Sequence, residues 1–196
     1  MSTNTILTFL ADYRLAFLTL HILSMAIGLG GATVSDLLFF KFLKDYRVSK
    51  KEEEVLHLLK DVILTVMLII ALSGLALYLP EASRLNASPM FLVKVIATVI
   101  LIINGIALHV YIAPHLIHFN LRKKERLGRK WHRLAFALGA ISVCSWYSVF
   151  LIAMLKSALP FGFSTMLTGY LLLLITSILI SQLVEYSLTK RAQKEL

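Results

Sequence analysis

Five long apolar runs alternate with short polar, charged connections along this chain, over about residues 14–40, 56–79, 90–113, 132–156 and 163–187. Each approaches or exceeds the roughly 20 residues that an α-helix needs to cross about 30 Å of hydrocarbon. Polar residues inside the runs are isolated rather than alternating, so the period of a barrel strand is missing and helices are predicted. The expected fold class is all-α: one five-helix transmembrane domain spanning residues 1–196. Proline placement agrees, because Pro80, Pro89, Pro114 and Pro160 stand at or beside run ends, where a lost amide costs least. Ser88-Pro89 reads as a helix start and Pro160-Phe161-Gly162 as a turn. The first run is long enough to tilt or to project beyond the membrane.

Charge gives the runs a direction. Sixteen of the twenty basic residues fall within 41–60, 122–133 and the tail from Lys190. Alternating five spans places loops 41–55 and 114–131 and the C-terminus on one side, which the positive-inside rule makes the inner one. The expected topology is N-out and C-in. The same distribution accounts for the net charge of +9 without a polyanion, so the bilayer is the expected partner and nucleic acid is not.

Composition narrows the chemistry. Apolar residues make up 58% of the chain, charged residues 16%, and the mean hydropathy is +0.80, more hydrocarbon than a soluble domain hides. The single cysteine, Cys144, excludes an internal disulfide and a multi-thiolate metal site, and reads as a packing residue. Residues 1–13 lack the basic start and cleavage site of a secretory signal. No phosphate-binding loop, dinucleotide fingerprint, HExxH or nucleophile elbow occurs, which removes the usual basis for a hydrolase or a nucleotide-driven machine.

The candidate chemistry begins at His21. Ser24, Gly28, Gly31 and Ser35 follow it at helical spacing, with Met25 and Ala32 flanking the line. An imidazole is costly against lipid, and a file of small residues marks where helices, or a helix and a flat ligand, approach closely. At 1.5 Å per residue, His21 lies about 10 Å and Lys94 about 6 Å below the outer boundary, with Thr98 one turn beneath Lys94. Ser73 and Gly74 on the second run, and Trp146 and Tyr147 on the fourth, are expected in the same layer. The predicted cofactor layer is therefore His21, Met25, Gly28, Gly31, Lys94, Thr98, Trp146 and Tyr147. Each member also has a plainer reading: a snorkelling lysine, interfacial aromatics, ordinary helix packing, a satisfied bundle histidine. His57, His109, His115, His118 and His132 lie toward the basic side. His57 with His109 is the candidate pair for an inner heme or metal site, against a plainer reading of solvated or headgroup-facing rings. Asp36, Lys60 and Asp61 read as interfacial charges or ion pairs.

At these residues the chain resembles a group of small bacterial membrane proteins that includes the copper-resistance D (CopD) domain and the HemJ-type protoporphyrinogen oxidases. The similarity runs over roughly residues 15–116. It is carried by Leu20-His21-Ile22 with Gly28, Gly30 and Gly31, by Leu72-Ser73-Gly74-Leu75, and by Lys94, Asn104 and Pro114 in FLVKVIATVILIINGIALHVYIAP. The tryptophan often found shortly before the first-helix glycines is absent here, as is a histidine near Asn104. The resemblance implies a b-type heme associated with His21 and Lys94.

The leading expectation is a heme b-binding integral membrane redox protein of the bacterial inner (plasma) membrane. His21 supplies one axial ligand, Gly28 and Gly31 admit the porphyrin face, Trp146 or Tyr147 packs on the macrocycle, and Lys94 pairs with a propionate. The second axial ligand stays open, with a partner chain in a homo-oligomer among the choices. One alternative is CopD-like copper handling, with His21, Met25 and Met90 or Met154 as a soft N/S set. Others are an oxidoreductase acting on a tetrapyrrole and passing electrons to quinone or a redox partner protein, and a cofactor-free membrane subunit.

Overall fold

The computed structural model describes residues 3–45, 50–112, 129–155 and 161–194. Pro114, His115, His118, the basic stretch 122–126 and the Pro160 turn lie outside the described residues. Among the described residues there are seven α-helices: α1 (Thr3–Asp12), α2 (Arg14–Asp45), α3 (Lys50–Tyr78), α4 (Ala82–Asn86), α5 (Pro89–Ala107), α6 (Arg129–Met154) and α7 (Phe163–Lys194). The same residues contain no strand. Five helical stretches are long and apolar enough to cross a membrane: Arg14–Leu38, Glu54–Asn86, Pro89–Ile112, Lys130–Met154 and Phe163–Lys190. The chain is thus an all-helical protein built for multiple membrane crossings.

Two short helices were not expected from the sequence. The first, α1, precedes the first span and sets Phe9 against Tyr13 in a tilted ring contact, 4.7 Å between centroids. The second, α4, follows a 3₁₀ turn at Leu79–Glu81 and fills what reads as a loop. The start of α5 follows the sequence signal. Ser88 is extended (φ −92°, ψ 113°), its Oγ accepts from the Phe91 amide at 3.5 Å, and Pro89 takes the first helical position. Across this connection the rings of Tyr78 and Phe91 stack at 5.6 Å, only 2° from parallel. At its far end α5 widens into a π turn at Leu108–Ile112.

The central helix is α6, which packs against α2, α5 and α7, whereas α3 packs chiefly on α2. Its buried positions His132, Ala135, Gly139, Ser142, Trp146 and Val149 recur in steps of three and four, the spacing that keeps one helix face turned inward. Ala135, Gly139 and Ser142 among them are small, so neighbouring helices come close there without a hydrophobic driving force between them. Three apolar clusters stack along this seam: Val93, Ala97, Val149 and Tyr170; then Ala32, Leu101 and Trp146; then Ile112, Ala135 and Phe136. The outer perimeter keeps its leucines exposed, as at Leu171, Leu172, Leu173, Leu179 and Leu183 of α7, the arrangement expected of a surface solvated by acyl chains.

Side-chain pairs fix the registers. His21 meets Ser73 and Gly28 meets Val66, so α2 and α3 run antiparallel. Thr33–Tyr147 with Asp36–Ser142, Asn104–Leu138 with the Val93 and Val149 cluster, and His132–Glu185 with Ser145–Tyr170 give antiparallel pairs α2–α6, α5–α6 and α6–α7.

Candidate functional site

His21 is half-buried between α2 and α3, with its Nδ1 3.0 Å from Ser73 Oγ. Ser73 Oγ in turn lies 2.6 Å from the Ile69 carbonyl and 3.3 Å from that of Ile70. A serine hydroxyl has one proton, and the short contact to Ile69 takes it. Ser73 Oγ can then accept from His21 Nδ1–H, the tautomer that places the lone pair on Nε2, and the Ile70 carbonyl is a further hydrogen-bond partner of the ring. A metal-binding imidazole needs this state: one nitrogen oriented by an outer partner, the other free to donate electrons. Gly74 makes the ring's position accessible, because a Cβ there would come within 3.2 Å of His21 Cε1.

The other predicted members divide into two levels. Trp146 sits on Gly28, where a Cβ would meet Cη2 at 2.8 Å, and it shares a cluster with Ala32 and Leu101. Gly28 is seven residues beyond His21, about 10 Å along a helix. Trp146 and Tyr147 therefore lie deeper than the His21–Ser73 pair rather than beside it. Gly28 gives its space to the Trp146 indole and to Val66, and Gly31 faces Ile63 at 3.5 Å, so this part of the small-residue file serves helix packing. Met25 packs on both central clusters, between Val93 and Ala97 on one side and Trp146 on the other. Tyr147 is 41% exposed and turns its hydroxyl to Thr33 Oγ1 at 3.2 Å. Lys94 is half-buried with Nζ 5.9 Å from the centre of the Phe91 ring, a cation–π approach. Thr98 donates to the Lys94 carbonyl at 2.8 Å and so spends its proton within α5.

Toward the opposite end, His57 and His109 are both exposed, His57 on α3 and His109 in the π turn, so neither is enclosed as a bis-histidine heme ligand is. The buried histidine at this end is His132, which reads as a headgroup-facing ring in the sequence. It lies 3.2 Å from Glu185 Oε1, and Glu185 also accepts from Thr189 at 3.0 Å and faces Arg133 Nε at 3.7 Å. Asp36, expected at the interface, is instead 9% exposed, with Ser142 set against it. The signal for both was present: Glu185 and Asp36 each sit within an apolar run at a position that helical spacing turns inward. Among the described residues no three His, Cys, Asp or Glu side chains converge as a protein-only metal site requires.

No protein-family model, curated protein or solved structure matches this chain.

Proposed function

We propose that this chain is a heme b-binding redox protein of the bacterial inner membrane, oriented N-out and C-in, with His21 as an axial ligand. The observation that supports the reading is the His21–Ser73–Ile69 relay, which is compatible with the Nδ1–H tautomer and a lone pair on Nε2. The donor fits the group: a single neutral imidazole, oriented from α3, at the level of Lys94 and the outer connection. The glycine file fits it less well, since Trp146 and Ile63 fill the space beside Gly28 and Gly31. The macrocycle would therefore contact the half-buried face of His21 and not the α2 backbone below it. Heme supplies reversible one-electron exchange at its iron. The chain's own residues hold the ligand tautomer, exclude water with the α2–α3 seam, and offer the Lys94 ammonium to a propionate. The topology rests on the basic residues of loop 41–55, the 122–133 stretch and the tail.

The test is the absorption spectrum of the purified protein and of His21→Ala. A Soret band that shifts on dithionite reduction, and that is lost or displaced in the variant, supports the reading. A colourless wild-type protein, with or without retained copper, overturns it, as does an unchanged spectrum in His21→Ala.

A further inference from the structure

Among the described residues three buried oxygens have no hydrogen-bond partner: Asp36 Oδ2, Asn104 Oδ1 and Glu185 Oε2. Glu185 is compensated by His132, Thr189 and Arg133. Asp36 has Ser142 against its carboxyl and Asn104 donates to Leu138, but the second oxygen of each stays bare at residues only 9% and 4% exposed.

These two residues come within about one helical turn of each other along the bundle. Ala32 of α2 and Leu101 of α5 pack into the same cluster with Trp146, and one turn further along each helix come Asp36 and Asn104. Both meet the same face of α6. Asn104 Nδ2 donates to the Leu138 carbonyl at 3.1 Å, and Ser142, one turn on from Leu138, is set against Asp36. The donation to Leu138 fixes the amide, so Oδ1 is the end left in the seam between α2, α5 and α6.

No basic side chain among the described residues pairs with Asp36. The α2–α3 register puts His57, Lys60 and Asp61 nearest to it on α3, and Lys60 is engaged with Asp61 at 3.2 Å while His57 is exposed. Beyond Asn104 the nearest titratable group is the exposed His109 of the π turn, on α6 it is Cys144, and on α7 it is Glu185, held by His132. On α2 itself Lys41 is exposed. An ionised carboxylate in such a place would be desolvated without a counter-charge, and the same seam holds an amide oxygen that also lacks a donor.

We propose that Asp36 and Asn104 form a buried proton-binding site, in which the Asp36 carboxyl holds a proton at neutral pH. One proton then supplies the donor that Asp36 Oδ2 and Asn104 Oδ1 otherwise lack. This is a function of the inner half of the bundle, built from different residues than the His21 layer and independent of whether heme binds there.

The experiment is infrared difference spectroscopy on the full-length purified protein between neutral and alkaline pH, with and without ¹³C-labelled aspartate. The expected result is a carboxylic-acid C=O band at neutral pH that shifts down on labelling and disappears in Asp36→Asn. Asn104→Leu is expected to move that band to higher frequency, and Glu185→Gln to leave it in place. The labelled wild-type protein needs no substitution, so a poorly folding variant does not blunt the test. Absence of a label-sensitive acid band at neutral pH overturns the proposal. A band that appears only when sodium is replaced by potassium also overturns it, and assigns the site to a sodium ion.

Discussion

Glu185 Oε1 lies 3.2 Å from His132 Nδ1, with the two residues 1% and 3% exposed, at the junction of α6 and α7. Thr189 donates to the same oxygen from one turn along α7, and Gln182 Nε2 donates to the Arg133 carbonyl at 3.0 Å. This cluster ties the last helix to the central one by polar contacts as well as by Phe136 and Leu188.

Removing one partner strands the other inside the bundle. Glu185→Ala is expected to cost about 3–5 kcal/mol, whereas replacing His132 and Glu185 together with apolar residues of similar volume costs much less. Denaturant titration in detergent, read by circular dichroism, gives both values. Equal costs for the single and double variants would contradict the pairing.

Gly28 and Gly30 are near neighbours in the sequence with opposite surroundings. A methyl group at Gly28 meets Trp146 Cη2 at 2.8 Å and Val66 at 3.2 Å, while nothing lies within 4 Å of one at Gly30. Gly28→Ala is expected to destabilise by about 1–3 kcal/mol, as overpacking does. Gly30→Ala is expected to be neutral or to stabilise by up to about 1 kcal/mol through helix propensity. In a Trp131→Phe background, Trp146 fluorescence should shift only in the Gly28 variant.

Ser73→Ala tests the orientation of His21 without touching the ring. On the heme reading, heme affinity falls about 10–100-fold while helix content is unchanged, the usual scale for losing an outer-shell partner. Titrating heme into the apoprotein measures it. Unchanged affinity would show that Ser73 does not orient the ligand.

On the connection between α3 and α5, Glu81 accepts from Arg14 Nε at 3.0 Å and from Arg84, joining α2 to α4. These side chains are partly or largely exposed, so each pair contributes about 0–1 kcal/mol. Glu81→Ala is therefore expected to lower thermal stability slightly, and high salt should shrink the difference from wild type. A large, salt-insensitive loss would contradict this.

Much of the architecture is legible in the order of the residues. The apolar runs, the prolines at their ends and the Ser88-Pro89 start foreshadow five long helices, because span length and backbone chemistry are local properties. The pairing of His21 with Ser73 and Gly74 follows from depth counting along two adjacent antiparallel helices. The same counting fails for Trp146 and Tyr147, since it assumes equal entry depth for helices whose relative offset is set by packing. Gly28 receives Trp146 because a small residue on α2 faces a large one on α6, a complementarity that only the register reveals. Asp36 and His132 are misjudged for a related reason, and Glu185 draws no reading at all. Charges near run ends look interfacial unless the face of the helix they occupy is known, and here α2, α6 and α7 each turn that face inward.

The most direct measurement of the central claim is chemical rescue at position 21. Purified His21→Gly should lack the wild-type Soret band, and added imidazole should restore it at the wild-type position in both oxidised and dithionite-reduced protein. A wild-type protein without a Soret band, or a glycine variant whose spectrum matches wild type before imidazole is added, would contradict the account.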